Sequence, residues 1–352
     1  MLSAITSVTQ PFYQPQLSLV PKQHNQPAFG KLNLPLDERP VVALADVLKQ
    51  SEPALEELLK QLKADGFARL NPEGTPYQDV GIQALNLAKA FVNHQEELVD
   101  MPSLAAPNPV SGGLSRYFQV EEMPDGLKRF GQLITAIVGK PIQAKAVEQP
   151  QTPLPEFAEK LLTGLSDTYN KYVYGMLHDV FQAIAQHYDI VKTEIDPLVT
   201  KKNGGAVRLI HYSNPVPLSL SDSSPFLSQQ PQHPLGIKGI PKHIDTSLLT
   251  GNFGETASGL AHVDADGDLT IIPSQKDHVI VTVGDMLANM TKDTLKPLPP
   301  FKHTVMGDKR SVTVGFYSPD YDATMKTWGK GQPLGTTEEH YKEYLPDVEQ
   351  TA

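Results

Sequence analysis

Pro241-Lys242-His243-Ile244-Asp245-Thr246-Ser247-Leu248-Leu249-Thr250 sets two metal-ligating side chains, His243 and Asp245, directly ahead of an apolar β-type run. Downstream, Phe301-Lys302-His303 adds a second imidazole, and Lys309-Arg310-Ser311-Val312-Thr313 opens a basic strand. Two histidines and one carboxylate can bind a divalent metal on one face and leave the other coordination positions open. The sequence holds three H-x-D triplets: His187-Tyr188-Asp189, His243-Ile244-Asp245 and His262-Val263-Asp264. The first closes a helical pattern, where residues i and i+2 project to roughly opposite sides. The third runs into Asp264-Ala265-Asp266-Gly267-Asp268, which reads as a hairpin turn. A calcium loop would need a different glycine spacing and a distal Glu. On a strand i and i+2 share a face, so His243 and Asp245 are the expected pair, with His303 as third ligand from a neighbouring strand.

Outward from this stretch the apolar period changes. From about residue 206, short β-type runs cover 207–212, 246–250, 269–272, 279–283 and 312–317, separated by turn residues. Upstream the period is helical. Phe157, Leu161, Leu165, Tyr169, Val173, Met176, Val180, Phe181 and Ile184 form one stripe, which predicts a long amphipathic helix over 157–188 with its Met and aromatic residues in the core. Leu55, Leu58, Leu59 and Leu62 predict a second helix, and residues 80 to about 98 a third. Short strands are expected at 40–44 and after Gly66, a loop over 102–115, and a helix around 338–344.

Helices first and a cluster of short strands afterwards indicate an α+β fold whose core is a jelly-roll, cupin-like double-stranded β-helix. The expected organisation is one structural unit. It comprises an extended arm (1–37), an N-terminal helical and strand region (38–150), a long supporting helix with its connection (151–200), the barrel core (201–320) and a tail (321–352).

Composition narrows the function classes. A net charge of -10 over 352 residues, with no cluster of Lys and Arg, argues against a nucleic-acid surface. The absence of cysteine excludes disulfides, thiolate zinc sites, iron–sulfur clusters and a cysteine nucleophile. Residues 1–30 carry no acidic residue and no basic-then-apolar signal pattern. No window offers the ~18 apolar residues of a membrane span. The expectation is a cytoplasmic protein acting on a small molecule, with no membrane or nucleic-acid partner and an oligomeric state that the sequence leaves open.

Alternation points Arg310, Val312, Val314 and Phe316 to one strand face, with Lys309 and Ser311 in the opposite register. Tyr212, in Arg208-Leu209-Ile210-His211-Tyr212, is a polar candidate for an inner face, and Arg116 and Tyr117, in a loop over 102–120, are candidate substrate contacts. Over roughly residues 38–320 the chain resembles the isopenicillin-N-synthase-like branch of 2-oxoglutarate/Fe(II)-dependent oxygenases. Asp65-Gly66-Phe67 resembles "W-G-F-F", and the Arg208–Tyr212 segment resembles "R-L-N-Y-Y". His243 to Thr250 resembles "H-T-D-x-x-x-L-T", Val283-Gly284-Asp285-Met286-Leu287 resembles "I-G-D-x-L", and Lys302-His303-Thr304-Val305 resembles "x-H-R-V".

The resemblance implies Fe(II) held by His243, Asp245 and His303, with 2-oxoglutarate and O2 in the open positions. Tyr212 and Arg310 would hold the cosubstrate, because an Arg fork suits its far carboxylate. The implied reaction oxidises a small-molecule C–H bond by hydroxylation, desaturation or cyclisation, with release of succinate and CO2. Two departures stand out. The family's R-x-S pairs Arg with a Ser two residues on, where this chain has Val312. The register of Lys309 and Ser311 restores the hydroxyl and replaces Arg by Lys, while Ile210 stands for the Asn of "R-L-N". The Val312 departure keeps open an iron-dependent oxidase of the same fold that does not use 2-oxoglutarate, and a third reading is a non-catalytic β-barrel module whose metal is structural.

Overall fold

Leu55, Leu58, Leu59 and Leu62 fall one helical turn apart and all four are buried, each stabilising the fold by roughly 1.5–3 kcal/mol. The structure is a computed structural model that describes residues 36–94, 115–122, 127–138, 156–212, 216–217, 245–258, 260–263, 269–292, 294–295 and 310–344. The chain enters through β1 (Val42–Ala43), α1 (Leu44–Leu48), α2 (Glu52–Asp65), β2 (Phe67–Asn71) and α3 (Val80–Asn93). The strand expected at 40–44 shrinks to two residues, because Leu44 and Val47 bury at helical spacing in α1. Gly66 ends α2 at a φ of 72°, its N–H donating to the Leu62 carbonyl at 3.1 Å, a left-handed cap that glycine adopts without steric cost. The arm over 1–35, the loop over 102–114 and the last residues of the third expected helix, 95–98, lie outside the described residues.

The long expected helix is helical throughout but not uniform: α4 (Glu156–Thr168) passes through a π-helical turn, Tyr169–Val173, into α5 (Tyr174–His187). The apolar spacing explains the turn. Leu161, Leu165, Tyr169 and Val173 repeat every fourth residue, and in an α-helix each such step overshoots one turn by ~40°. A wider turn absorbs that drift, and all four side chains stay buried on the core side. Tyr169 then donates its hydroxyl to the Phe316 carbonyl at 2.8 Å, tying helix to sheet.

The remaining described elements are β3 (Ser115–Glu122), β4 (Leu127–Val138), a short α6 (Lys192–Ile195), β5 (Gly205–Tyr212), β6 (Val216–Pro217), β7 (Leu249–Phe253), β8 (Ala261–Val263), β9 (Leu269–Ile271), β10 (Val279–Val283), α7 (Asp285–Thr291), β11 (Arg310–Tyr317), β12 (Thr324–Lys326), β13 (Pro333–Thr336) and α8 (Thr337–Tyr344). One sheet of nine strands runs β1-β2-β10-β7-β11-β5-β4-β3, with β6 also on β4. Strands from both the 38–150 and 201–320 segments therefore share a sheet. The strands β3 and β4 extend it where the sequence reading gave no strands.

Cross-strand register separates two faces. Val207, Gly315, Gly251, Val281 and Ala68 form one row, and Leu209, Thr313, Phe253, Val279 and Leu70 another. Their apolar members join the main core under α2, α3, α4 and α5. The opposite face carries the rows Arg208-Val314-Asn252-Ile280-Arg69 and Phe316-Thr250-Thr282-Phe67. There, Ile210, Val312 and Val314 make a separate cluster with Phe316, while Phe67 and Ile280 pack with Leu260 and Ile272 beside the antiparallel β8–β9 pair. This second face is the interior of the fold, and β8–β9 begins its other wall. The Asp264–Asp268 turn lies outside the described residues, and its flanks pair as a hairpin requires.

Candidate active site

Asp245 does not sit in a strand. It opens a bend before β7, half-buried, and its carbonyl accepts two hydrogen bonds, from Ser247 N–H and Asp285 N–H, both at 3.0 Å. Two further bonds complete the clamp: Gly284 N–H to the Leu248 carbonyl at 3.1 Å and Met286 N–H to the Ser247 carbonyl at 3.2 Å. The first amides of α7, which no intrahelical carbonyl can satisfy, thus fix the backbone of Asp245. Glycine at 284 is required by close approach, since a β-carbon there would run into the Ser247 carbonyl. Asp285 is anchored from behind by His340 Nε2 at 2.8 Å, with both residues buried. The Val283–Leu287 motif therefore does its work by positioning Asp245.

Arg310 begins β11 on the interior face and is 2% exposed. Its guanidinium donates to Glu255 Oε1, and Glu255 is also buried. The sequence reading did not single out Glu255; it follows β7 after Gly254, whose φ of 58° turns the chain there. Ser311 lies on the opposite face, toward the helices, where a 2.7 Å hydrogen bond joins it to His211 Nδ1. The structure thus separates Arg310 from Ser311, and the face with Arg310 continues through Val312, Val314 and Phe316 as alternation required.

Leu248 N–H donates to the Tyr317 carbonyl at 2.9 Å, so Asp245 sits near the Tyr317 end of β11 and Arg310 begins the other end. Seven residues of strand rise separate these ends by about 23 Å. The backbones of Asp245 and Arg310 therefore do not share one small ion. Thr250, Asn252 and Thr282 line the interior face, all buried, and Arg208 stacks on Phe316 with its guanidinium carbon 5.4 Å from the ring centroid. Thr250 and Asn252 were readable as polar residues at period 2 in an otherwise apolar strand. Glu255 had no such signal.

His243, His303 and Lys309 lie outside the described residues. Tyr212 ends β5 opposite Arg310 in the backbone register. Arg116 and Tyr117 fall within β3, opposite Ile134 and Leu133, rather than in a loop. The residues that are described fit an iron site with a dicarboxylate cosubstrate. Asp245, held through its backbone, would supply a hard carboxylate ligand, and Arg310, paired with Glu255, places a buried cation at the far end of a polar interior face.

Residues 206–319 match the sequence profile of the 2OG-Fe(II) oxygenase superfamily. No curated protein matches the chain at a significant level. Among solved structures, a putative 2OG-Fe(II) oxygenase family protein from Caulobacter crescentus aligns with a TM-score of 0.62 at 19% identity, over 90% of this chain and 99% of that one. A full-length Neurospora crassa protein in complex with alpha-KG and 5-formyluracil aligns at 0.59 and 16% identity, over 89% and 98%. JOX2 in complex with 2OG, Fe and JA aligns at 0.54 and 13% identity, over 87% and 84%. The fold is the one these oxygenases share, an α+β architecture around a double-stranded β-helix. Residues 206–319, which contain both the Asp245 clamp and the Arg310 face, are thus similar to the 2OG-Fe(II) oxygenase superfamily in sequence, on a fold that solved oxygenases share.

Proposed function

We propose that the protein is a non-haem Fe(II), 2-oxoglutarate-dependent dioxygenase that oxidises a C–H bond of a small molecule. The observation that carries this reading is the interior face with Asp245 clamped near one end and buried Arg310 at the other. His243, Asp245 and His303 would hold the metal, with both imidazoles neutral. Arg310 would receive the far carboxylate of 2-oxoglutarate, with Tyr212 and Lys309 as further contacts, and Arg116 and Tyr117 would meet the substrate. When bound, Fe(II) and the 2-oxo acid supply the O2-dependent oxidation of substrate, with succinate and CO2 as co-products. The chain's own part is to orient the ligands, exclude water and hold the cosubstrate. Thr250, Asn252 and Thr282 offer polar groups along its path, while Val312, Val314 and Ile210 keep it dry.

Neighbouring folds crystallised with thymine or JA support a small organic substrate. A cysteine-free composition supports a cytoplasmic location. Among the described residues no helix is long and apolar enough to cross a membrane. The test is anaerobic addition of Fe(II) and 2-oxoglutarate to the full chain, followed by O2. A metal-to-ligand charge-transfer band, then succinate release, is expected, and Asp245→Ala should abolish both. A protein that binds Fe(II) with neither band nor succinate would overturn the proposal. A second reading, iron-dependent oxidation without 2-oxoglutarate, draws on the Arg310–Glu255 pairing, and substrate oxidation with no succinate would select it.

A further inference from the structure

The interior face of β7 carries two polar side chains, and only one of them is accounted for. Thr250 Oγ1 lies 3.0 Å from Ser247 Oγ. Asn252 is 7% exposed and its side chain makes no hydrogen bond among the described residues. Beside it in the sheet stand Val314 of β11 and Ile280 of β10. These belong to two separate apolar clusters, and Asn252 lies between them. An apolar side chain at 252 would join the clusters into one surface. An amide there gives up that contact and buries a donor and an acceptor that water would otherwise satisfy, at a cost in stability. Buried polar groups are normally paired, so the amide of Asn252 calls for a partner that enters the interior.

We propose that Asn252 is a cosubstrate-binding residue that donates an amide N–H to a carboxylate oxygen at the metal-chelating end of the 2-oxo acid. The inference rests on the oxygenase reading above, and it leaves the far carboxylate to Arg310. Place along the sheet selects the chelating end. Val314, opposite Asn252 in register, is four residues from Arg310, or about 13 Å of strand rise, and three from Tyr317, or about 10 Å. Tyr317 marks the end at which Leu248 N–H bonds β11, three residues after Asp245. The chemistry of the group agrees with that end. An amide donates to a negative oxygen without bringing a second cation to compete with the metal for it. Hydrogen bonds to a charged acceptor are the strong ones, and Val314 and Ile280 on either side favour one formed away from water.

Asn252→Ala removes the amide. Asn252→Asp keeps its shape and replaces the donor by a charge that repels a carboxylate. Calorimetric titration into the Mn(II)-loaded full chain reads binding without turnover. The two ligands are 2-oxoglutarate and 2-oxopentanoate, which share the chelating end and differ in the far carboxylate, the weaker one being read by competition. Asn252→Ala should weaken both acids by the same factor, about tenfold, the worth of one hydrogen bond to a charged acceptor. Its Mn(II) affinity should stay within about twofold of the natural protein's. The melting temperature of its metal-free chain should not fall, because no partner within the protein is lost. Asn252→Asp should weaken both acids by about a hundredfold or more.

Unchanged affinity for both acids in a folded variant would mean that the amide holds water alone, and it would overturn the inference while leaving the oxygenase reading in place. A loss confined to 2-oxoglutarate would move Asn252 to the far carboxylate and overturn it equally. So would a parallel loss of Mn(II) affinity, or unfolding of both variants, each the mark of a structural amide. Failure of 2-oxoglutarate to bind the Mn(II)-loaded natural protein would overturn the oxygenase reading and this inference together.

Discussion

Two neighbours on β11 show how one residue of register decides a role. Arg310 faces the interior and Ser311 faces the helices, hydrogen-bonded to His211, whose ring meets that of Phe91 edge-on. Ser311→Ala should therefore cost about 1 kcal/mol of stability, the usual worth of one buried hydrogen bond, and leave 2-oxoglutarate affinity untouched. Calorimetric titration beside urea unfolding separates the two; a loss of affinity without a loss of stability would place the hydroxyl in the site after all. Gly284 gives the complementary case. Gly284→Ala forces the Ser247 carbonyl away and drags the Asp245 bend with it. About 1–3 kcal/mol of stability should go, and Mn(II) affinity should fall as well. Unchanged metal binding in a folded variant would show that the clamp does not govern Asp245. Of these residues, Arg310, Asp245 and the Gly284-Asp285 motif were readable in the sequence. Glu255 and the Ser311–His211 pairing were not, because both depend on which strand lies beside which.

The elements were legible wherever one face is apolar and the other wet. Residues 279–283 and the helix around 338–344 fall nearly where their period puts them. The strand expected at 246–250 instead begins at Leu249, because α7 holds residues 245–248 in a bend through its amides. The π-turn could be inferred only from a four-residue spacing that a plain helix does not tolerate, and it offers a direct test. Deleting the exposed Asn170 removes the extra residue and rotates α4 against α5 by ~100°. Leu161 and Leu165 then leave the core, at a cost of roughly 3–6 kcal/mol for two buried leucines. Asn170→Ala, which keeps the turn, should stay within about 0.5 kcal/mol. Equal urea midpoints for the deletion and the substitution would mean that the turn carries no registration.

At the scale of the whole molecule, the helix layer behind the sheet confines stability to a pH window with a cause at each edge. His178 packs between α5 and β11, with Nδ1 2.7 Å from the Tyr317 hydroxyl and Nε2 2.9 Å from Gln182 Nε2. Burial lowers its pKa from the ordinary 6.5, and burial lowers that of His278 too. In both, the unfolded chain takes up protons first as pH falls. Stability is therefore fully present above about pH 6.5 and declines below it, before the carboxylates titrate. Around the same layer a group of phenols behaves oppositely. Burial raises Tyr169, Tyr174, Tyr317 and Tyr321, and it pushes Tyr341 up to about 12 against a hydrogen bond to Ser318 that pulls down. Here the unfolded chain loses its protons first, from about pH 10, so stability is intact below that value and is lost as pH rises through it. Urea midpoints should accordingly form a plateau between about pH 6.5 and 10. His178→Gln combined with His278→Gln should flatten the acid limb and leave the alkaline one in place. Tyr169→Phe and Tyr341→Phe should soften the alkaline limb alone, after a uniform loss of about 1 kcal/mol for each hydroxyl bond removed. An acid limb that survives both histidine substitutions would assign it to other groups and remove the helix layer from that edge of the window.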